Sequence, residues 1–136
     1  MVQIHVDYLG DLHCKITLGP TGQSFITDAP VDNQGKGEFI SPTDLVAASI
    51  GSCVLTIMGI AARTNNINIE GSSVTVSKEM MTQPVRRIKT LTMDFTFIHK
   101  LTEKEFKILS EVPKVCPVTR SISPEVEIIT NYHFPE

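Results

Sequence analysis

The sequence predicts an α+β chain, with strand patterns at both ends and a long uncharged helix between them. Three observations carry this. Apolar and polar residues alternate through the first 28 positions, an uncharged run of eighteen residues starts at Leu45, and a second clean alternation runs from Ile88 to His99. With 136 residues the chain is long enough for one domain with a proper core and short for two, so residues 1–136 are read as a single domain. A hydrophobic content of 41% with 20% charge is ordinary for a globular protein. The net charge of −3 leaves no electrostatic footprint for nucleic acid.

Taken in order, Ile4, Val6 and Tyr8 alternate with His5 and Asp7 before Gly10-Asp11 punctuates the run. Leu12, Cys14, Ile16 and Leu18 alternate again, Gly19-Pro20 and Gly22 make a turn, and the pattern resumes from Ser24 to Thr27. This reads as an antiparallel three-stranded meander. Cys14 falls in register with Leu12 and Ile16, which favours a small buried hydrophobe over a reactive thiol. Pro30 to Phe39 is a loop of turn formers whose Lys36 and Glu38 read as solvated charges, although loops beside a rigid element often carry function.

Ser41 to Arg63 is the stretch around which the chain is built. Ser41, Pro42 at the first helical position and Asp44 form a close variant of the capping box. Leu45 to Ala62 then supplies about 27 Å of uncharged helix at ~1.5 Å per residue. A helix apolar on every side belongs in a protein core or a bilayer. Ser49, Gly51, Ser52, Cys53, Thr56 and Gly59 dilute the hydrophobicity, and the amphipathic strands elsewhere need something to cover. A buried central helix is therefore expected, and no membrane span.

After Thr64-Asn65-Asn66, a strand is expected from Ile67 to Ser77, with Met80, Met81 and Pro84 interrupting it. Ile88 to His99 follows, with Leu91, Met93, Phe95 and Phe97 on one face. Thr102 and Glu105 open a second helix through Phe106, Leu109 and Val112, broken or kinked at Pro113. Pro117 suits the first position of a short new helix, which puts Cys116 at or beside its N-cap. Glu125 to His133 closes the chain as a strand.

Cys14, Cys53 and Cys116 are odd in number and far apart, and Met1 leads into no basic start or apolar run. A reducing, cytoplasmic setting is the expectation. Thiolates rather than thiols attack peroxides and disulfides. Cys116 has a helix start and Arg120 close by in sequence. Cys53 lies eleven residues past the first helical position, roughly 16 Å from that end at ~1.5 Å per residue, among apolar neighbours. Burial there raises a thiol pKa, so Cys53 needs a cation brought from elsewhere in the fold. The two are 63 residues apart, which excludes a CxxC site, and His5, His99 and His133 stand singly, without zinc-ligand spacing. The residues alone leave open a two-cysteine redox site or two unrelated buried cysteines.

SPTDLVAASIGSC leading into an apolar helix, with VCPVTRSI some sixty residues later, resembles the OsmC/Ohr family of osmotically inducible and organic hydroperoxide resistance proteins. The meander and later strands fit as well, so the likeness spans essentially the whole chain. It implies an α+β fold with two long helices wrapped by sheets, in an intertwined homodimer. It also implies a thiol-dependent peroxidase acting on organic hydroperoxides, with no metal or organic cofactor. On that pattern Cys53 matches the peroxidatic cysteine and Cys116 the resolving cysteine, which condense to a disulfide that a dithiol reductant reopens. Two positions depart from the family. No arginine precedes Arg63, and Thr43 stands where the family has a glutamate ten residues before the first cysteine. Arg120 and Lys36 are the candidate replacement cations. The rival reading is an OsmC-like dimer without peroxidase activity that binds a small hydrophobic ligand.

Overall fold

The computed structural model describes all residues, 1–136. They form two compact units, Met1–Val46 and Ala47–Glu136, and one helix runs through the boundary.

In the first unit β1 (Ile4–Gly10), β2 (His13–Leu18) and β3 (Ser24–Asp28) pair antiparallel in the order β1-β2-β3, the meander the alternation predicts. Tyr8 faces Cys14 in the register, and a bulge between Tyr8 and Gly10 leads into a turn with Gly10, Asp11 and Leu12 all at positive φ. Asp28, 1% exposed, ties down the following loop. Its Oδ2 accepts the Glu38 N–H at 3.0 Å and lies 3.5 Å from His13 Nε2, while its own N–H donates to Ile40 O. Ile4, Val6 and Tyr8 of β1 are all more than half exposed, so one apolar row of this sheet is open.

The helix α1 (Pro42–Thr64) starts as its residues dictate. Asp44 N–H donates to Ser41 Oγ at 3.1 Å, and Ser41 N–H donates back to Asp44 Oδ2 at 3.0 Å. This is a reciprocal cap that satisfies two end groups. Ala47, Ile50, Gly51, Val54, Met58 and Ala62 are buried, at the three- and four-residue spacing of a single stripe. The expectation of burial on every side is met on that stripe only. Ile60, for example, is 55% exposed. The helix remains long and apolar enough to cross a membrane by length and composition.

The second unit holds β4 (Ser73–Met81), β5 (Arg87–Thr96) and β6 (Glu127–His133) in one sheet, order β4-β5-β6, with β4-β5 antiparallel and β5-β6 parallel. β4 begins later than the apolar run from Ile67 suggests and continues through Met80 and Met81. Gly71, at φ +86°, turns the chain first, and a bulge at Glu79/Met80 absorbs the irregularity within the strand. Leu91, Met93 and Phe95 on β5 are fully buried, with Phe97 just beyond it. The parallel pairing needs a crossover, which is residues 97–126. It carries α2 (Glu103–Ser110) and α3 (Val112–Val115). Thr102 Oγ1 caps α2 through Glu105 N–H at 3.1 Å, and Phe106 inserts edge-on against Tyr132 (5.0 Å) and Phe134 (5.2 Å). Phe95 and Phe97 stack on Tyr132 from the sheet side.

Ser41 is 1% exposed and its hydroxyl holds the first turn of α1. Ser41→Ala is expected to cost about 1 kcal/mol of unfolding free energy, read as a lower urea midpoint at unchanged m-value. An unchanged midpoint would remove the cap from the determinants of this helix.

Candidate active site: two facing thiols

Two elements deliver the sulfurs. Cys53 stands on α1 one residue before the fully buried Val54, so it lies at the margin of the packed stripe and is part-exposed. Gly51 sets the depth of that stripe. A Cβ there would come within 2.8 Å of Val76 Cγ2 and 3.2 Å of Val74 Cγ1, and its absence lets α1 lie close on β4. Cys116 ends α3 and is fully buried. Pro113 belongs to α3 as one of its first residues, because a proline without an N–H is tolerated at a helix start. Cys116 is the C-cap of α3 with an extended backbone, Val118 rather than Cys116 is the N-cap of the turn that follows, and the Cys116 carbonyl accepts the Arg120 N–H at 3.1 Å. The 3-10 turn that follows is Thr119–Ser121, two residues later than Pro117 suggests.

The structure brings both predicted cysteines together. Both are reduced, and the Cys53 thiol donates a hydrogen bond to the Cys116 sulfur. Val118 N–H reaches both sulfurs, and Thr119 directs its N–H and its hydroxyl at Cys116. The Thr119 hydroxyl oxygen is buried, has no hydrogen bond of good geometry, and favours the ionised form of Cys116. Sequence reasoning missed Thr119. Its signal was available in VCPVT, where a hydroxyl three residues past a cysteine returns to it in a tight turn.

The two thiols are pushed in opposite directions. Burial raises the Cys53 pKa above the usual 9.0, and the hydrogen bond it donates to Cys116 raises it further, against a smaller pull from Val118 N–H. Burial also opposes ionisation of Cys116, but the bonds from Cys53, Thr119 and Val118 outweigh it and hold that thiol below its usual value. None of these leading influences is a cation. Arg120 contributes its backbone to the turn at Cys116, while its side chain is exposed. Lys36, in the first unit, is ion-paired with Asp11 at 3.1 Å, a contact that raises its own pKa. Asp44 is engaged in the cap of α1. Cys14 lies on β2, in the other unit from the pair. No cluster of three metal-ligating side chains is present.

A groove of about 750 Å³ follows the later turns of α1, lined by Leu55, Ile60, Arg63, Ile67, Ile69 and Glu70 among others, and does not include either sulfur of the pair.

With site and fold in place, likeness to known proteins can be weighed. Residues 35–131, which include both cysteines, match the model of a family described as OsmC-like protein. A structure from Psychrobacter arcticus, described as an osmotic stress induced and detoxification response protein, is 43% identical, with a TM-score of 0.92 over 98% of this chain and 96% of that one. An OsmC-like protein from Mycoplasma pneumoniae is 15% identical, with a TM-score of 0.84 over 100% and 98%. An organic hydroperoxide resistance protein OsmC from Legionella pneumophila is 16% identical, with a TM-score of 0.77 over 98% and 96%; at such identities the likeness is one of fold. No curated protein matches the sequence.

The pair makes a signed prediction about pH. An unfolded thiol keeps its ordinary value, so the Cys116 contribution to stability is present above that value and is lost as pH falls through its lower folded one. The Cys53 contribution is present below the ordinary value and is lost as pH rises through its higher folded one. Cys116→Ser removes the sulfur that accepts the Cys53 S–H and is expected to lower the pH at which Cys53 ionises, followed by the 13Cβ shift of labelled cysteine. A shift upward, or none, would contradict the hydrogen-bonded pair.

Proposed function

Given that the chain belongs to the OsmC-like family, we propose that it is a thiol-dependent peroxidase that reduces organic hydroperoxides, with Cys53 as peroxidatic and Cys116 as resolving cysteine. The observation that carries the reading is the hydrogen bond between two thiols 63 residues apart in sequence. Two unrelated core cysteines have no reason to meet in that way. Proteins of similar fold, among them the organic hydroperoxide resistance protein from Legionella pneumophila, support the substrate class.

The reaction follows from the arrangement of charge. Of the pair, Cys116 is the easier to ionise and Cys53 the harder, so the first proton lost comes from Cys116 and the remaining one sits on Cys53. Transfer of that proton along the S–H···S bond leaves Cys53 as the thiolate. Cys53 sulfur attacks the distal peroxide oxygen, the O–O bond breaks, and the departing alkoxide takes the proton from Cys116 to leave as an alcohol. Cys53 is then a sulfenic acid beside a Cys116 thiolate. Cys116 attacks the Cys53 sulfur, the S–S bond forms, and hydroxide leaves to become water with a proton from solvent. A dithiol reductant returns both thiols and is itself oxidised to a disulfide. No metal or organic cofactor enters these steps.

The working form is a homodimer in this reading, acting in the reducing cytoplasm. Its support is the open row Ile4, Val6 and Tyr8 on β1 and the uncovered face of α1, surfaces that a second copy can bury. A second reading, an OsmC-like dimer that binds a small hydrophobic molecule without turning over peroxide, is favoured by the groove beside Ile60 and Ile67.

Cumene or t-butyl hydroperoxide is expected to consume both Cys53 and Cys116 thiols per equivalent in the wild type. Cys53→Ser should lose none, and Cys116→Ser should accumulate a Cys53 sulfenic acid that dimedone traps. An unchanged thiol titre in the wild type would pass the function to the ligand-binding reading. Because ionisation of Cys53 is disfavoured, the rate constant is expected to rise further as pH passes above 9.0; no further rise there would mean that Cys53 is not held protonated. Val6→Lys is expected to convert the dimer to monomers by light scattering, and a monomeric wild type would end that part of the reading.

A further inference from the structure

Reduction of a Cys53–Cys116 bridge has two chemically different routes, according to which sulfur the incoming thiol attacks and which departs. The site is asymmetric in both respects. Cys53 is part-exposed, whereas Cys116 is fully buried. The polar donors are also unevenly shared. Cys116 is served by Val118 N–H, Thr119 N–H and the Thr119 hydroxyl, and Cys53 by Val118 N–H alone among these. The Thr119 oxygen is buried, has no hydrogen bond of good geometry and favours the ionised form of Cys116, so the interaction becomes strong only when negative charge arrives on that sulfur.

We propose that Thr119 is a catalytic residue for the reductive half of the cycle, its hydroxyl stabilising Cys116 as the leaving sulfur while the dithiol reductant attacks Cys53. This rests on the peroxidase reading for its place in a cycle, but the chemistry belongs to the pair itself. One thiolate of the reductant attacks Cys53 sulfur, the S–S bond breaks, and the bonding pair leaves on Cys116 as a thiolate held by Thr119 and Val118. The second thiol of the reductant then loses its proton to Cys53 as it attacks its own first sulfur, and Cys53 leaves as a thiol. The reductant ends as a cyclic disulfide, and the chain has gained two electrons and one proton in all, as a Cys53 thiol and a Cys116 thiolate.

The test needs no peroxide. In a Cys14→Ser background, which leaves the pair intact, the bridge is closed with diamide and opened with 2-mercaptoethanol under acid quench. Mass spectrometry is expected to find the mixed disulfide on Cys53. In the reduced protein, Thr119→Val is expected to raise the pH at which the Cys116 13Cβ signal shifts by about one unit, the effect of one hydrogen bond to an ionised group. It should also slow reduction of the bridge by dithiothreitol several-fold at fixed pH, and Thr119→Ser should restore both. A mixed disulfide on Cys116, a Thr119→Val chain that titrates and reduces like its parent, or a Thr119→Ser chain that behaves like Thr119→Val would each overturn the assignment. Failure of diamide to close the bridge would overturn it together with the peroxidase reading. A chain that passes these tests yet ignores hydroperoxides would lose the peroxidase reading alone.

Discussion

The absent side chain at Gly51 lets α1 lie close to β4, and much else depends on that distance. Val74 and Val76 fill the space where a Cβ would stand, and valine has little rotameric freedom with which to retreat. Close approach puts Ile50, Val54 and Met58 in a dry stripe against the sheet. Cys53, one step around the helix from Val54, is thereby held at the edge of that stripe, neither in the core nor in bulk water. The sequence of small residues along α1 is thus a statement about helix-to-sheet distance before it is one about chemistry.

The leading influences on the Cys116 thiol are neutral donors. Backbone N–H groups, one hydroxyl and a neighbouring S–H favour its ionised form, each as a fixed dipole rather than as a point charge. Fixed dipoles in a buried pocket are screened little by salt, and they act over a single contact. That makes the arrangement local. It depends on the turn after Cys116 being closed, which the Arg120 N–H to Cys116 carbonyl bond and the Ser121 hydroxyl to Pro117 carbonyl bond (2.7 Å) secure.

Much of this was legible from residues. The meander, the capped central helix, the β5 alternation and both cysteines read directly, because period-two patterns, capping residues and proline placement act over a few positions. The boundaries of β4 were not legible. Ile67 and Ile69 are apolar because they line the region beside the end of α1, not because they alternate in a strand. Nor was the parallel pairing of β5 with β6, which no local pattern distinguishes from an antiparallel one. At the site, the direction for Cys53 followed from its apolar surroundings deep in the helix, while Cys116 was favoured on a helix start and Arg120 and is favoured in the structure by Cys53, Thr119 and Val118. The backbone donors from Val118 and Thr119 were not legible, because a backbone N–H has no letter in a sequence.

The parallel pairing has a mechanical side. Residues 97–126 leave β5 and return beside it, so the segment bearing Cys116 is anchored to the same sheet at both ends, with Phe106 pinned among Tyr132 and Phe134. A covalent link from that segment to α1 would close a ring of some sixty residues, a constraint worth about 4 kcal/mol against the unfolded chain in the loop-entropy model. The oxidised molecule would then be the stiffer one. Its resistance to proteases and to heat would serve as a gauge of the cell's thiol balance, readable without any assay of turnover.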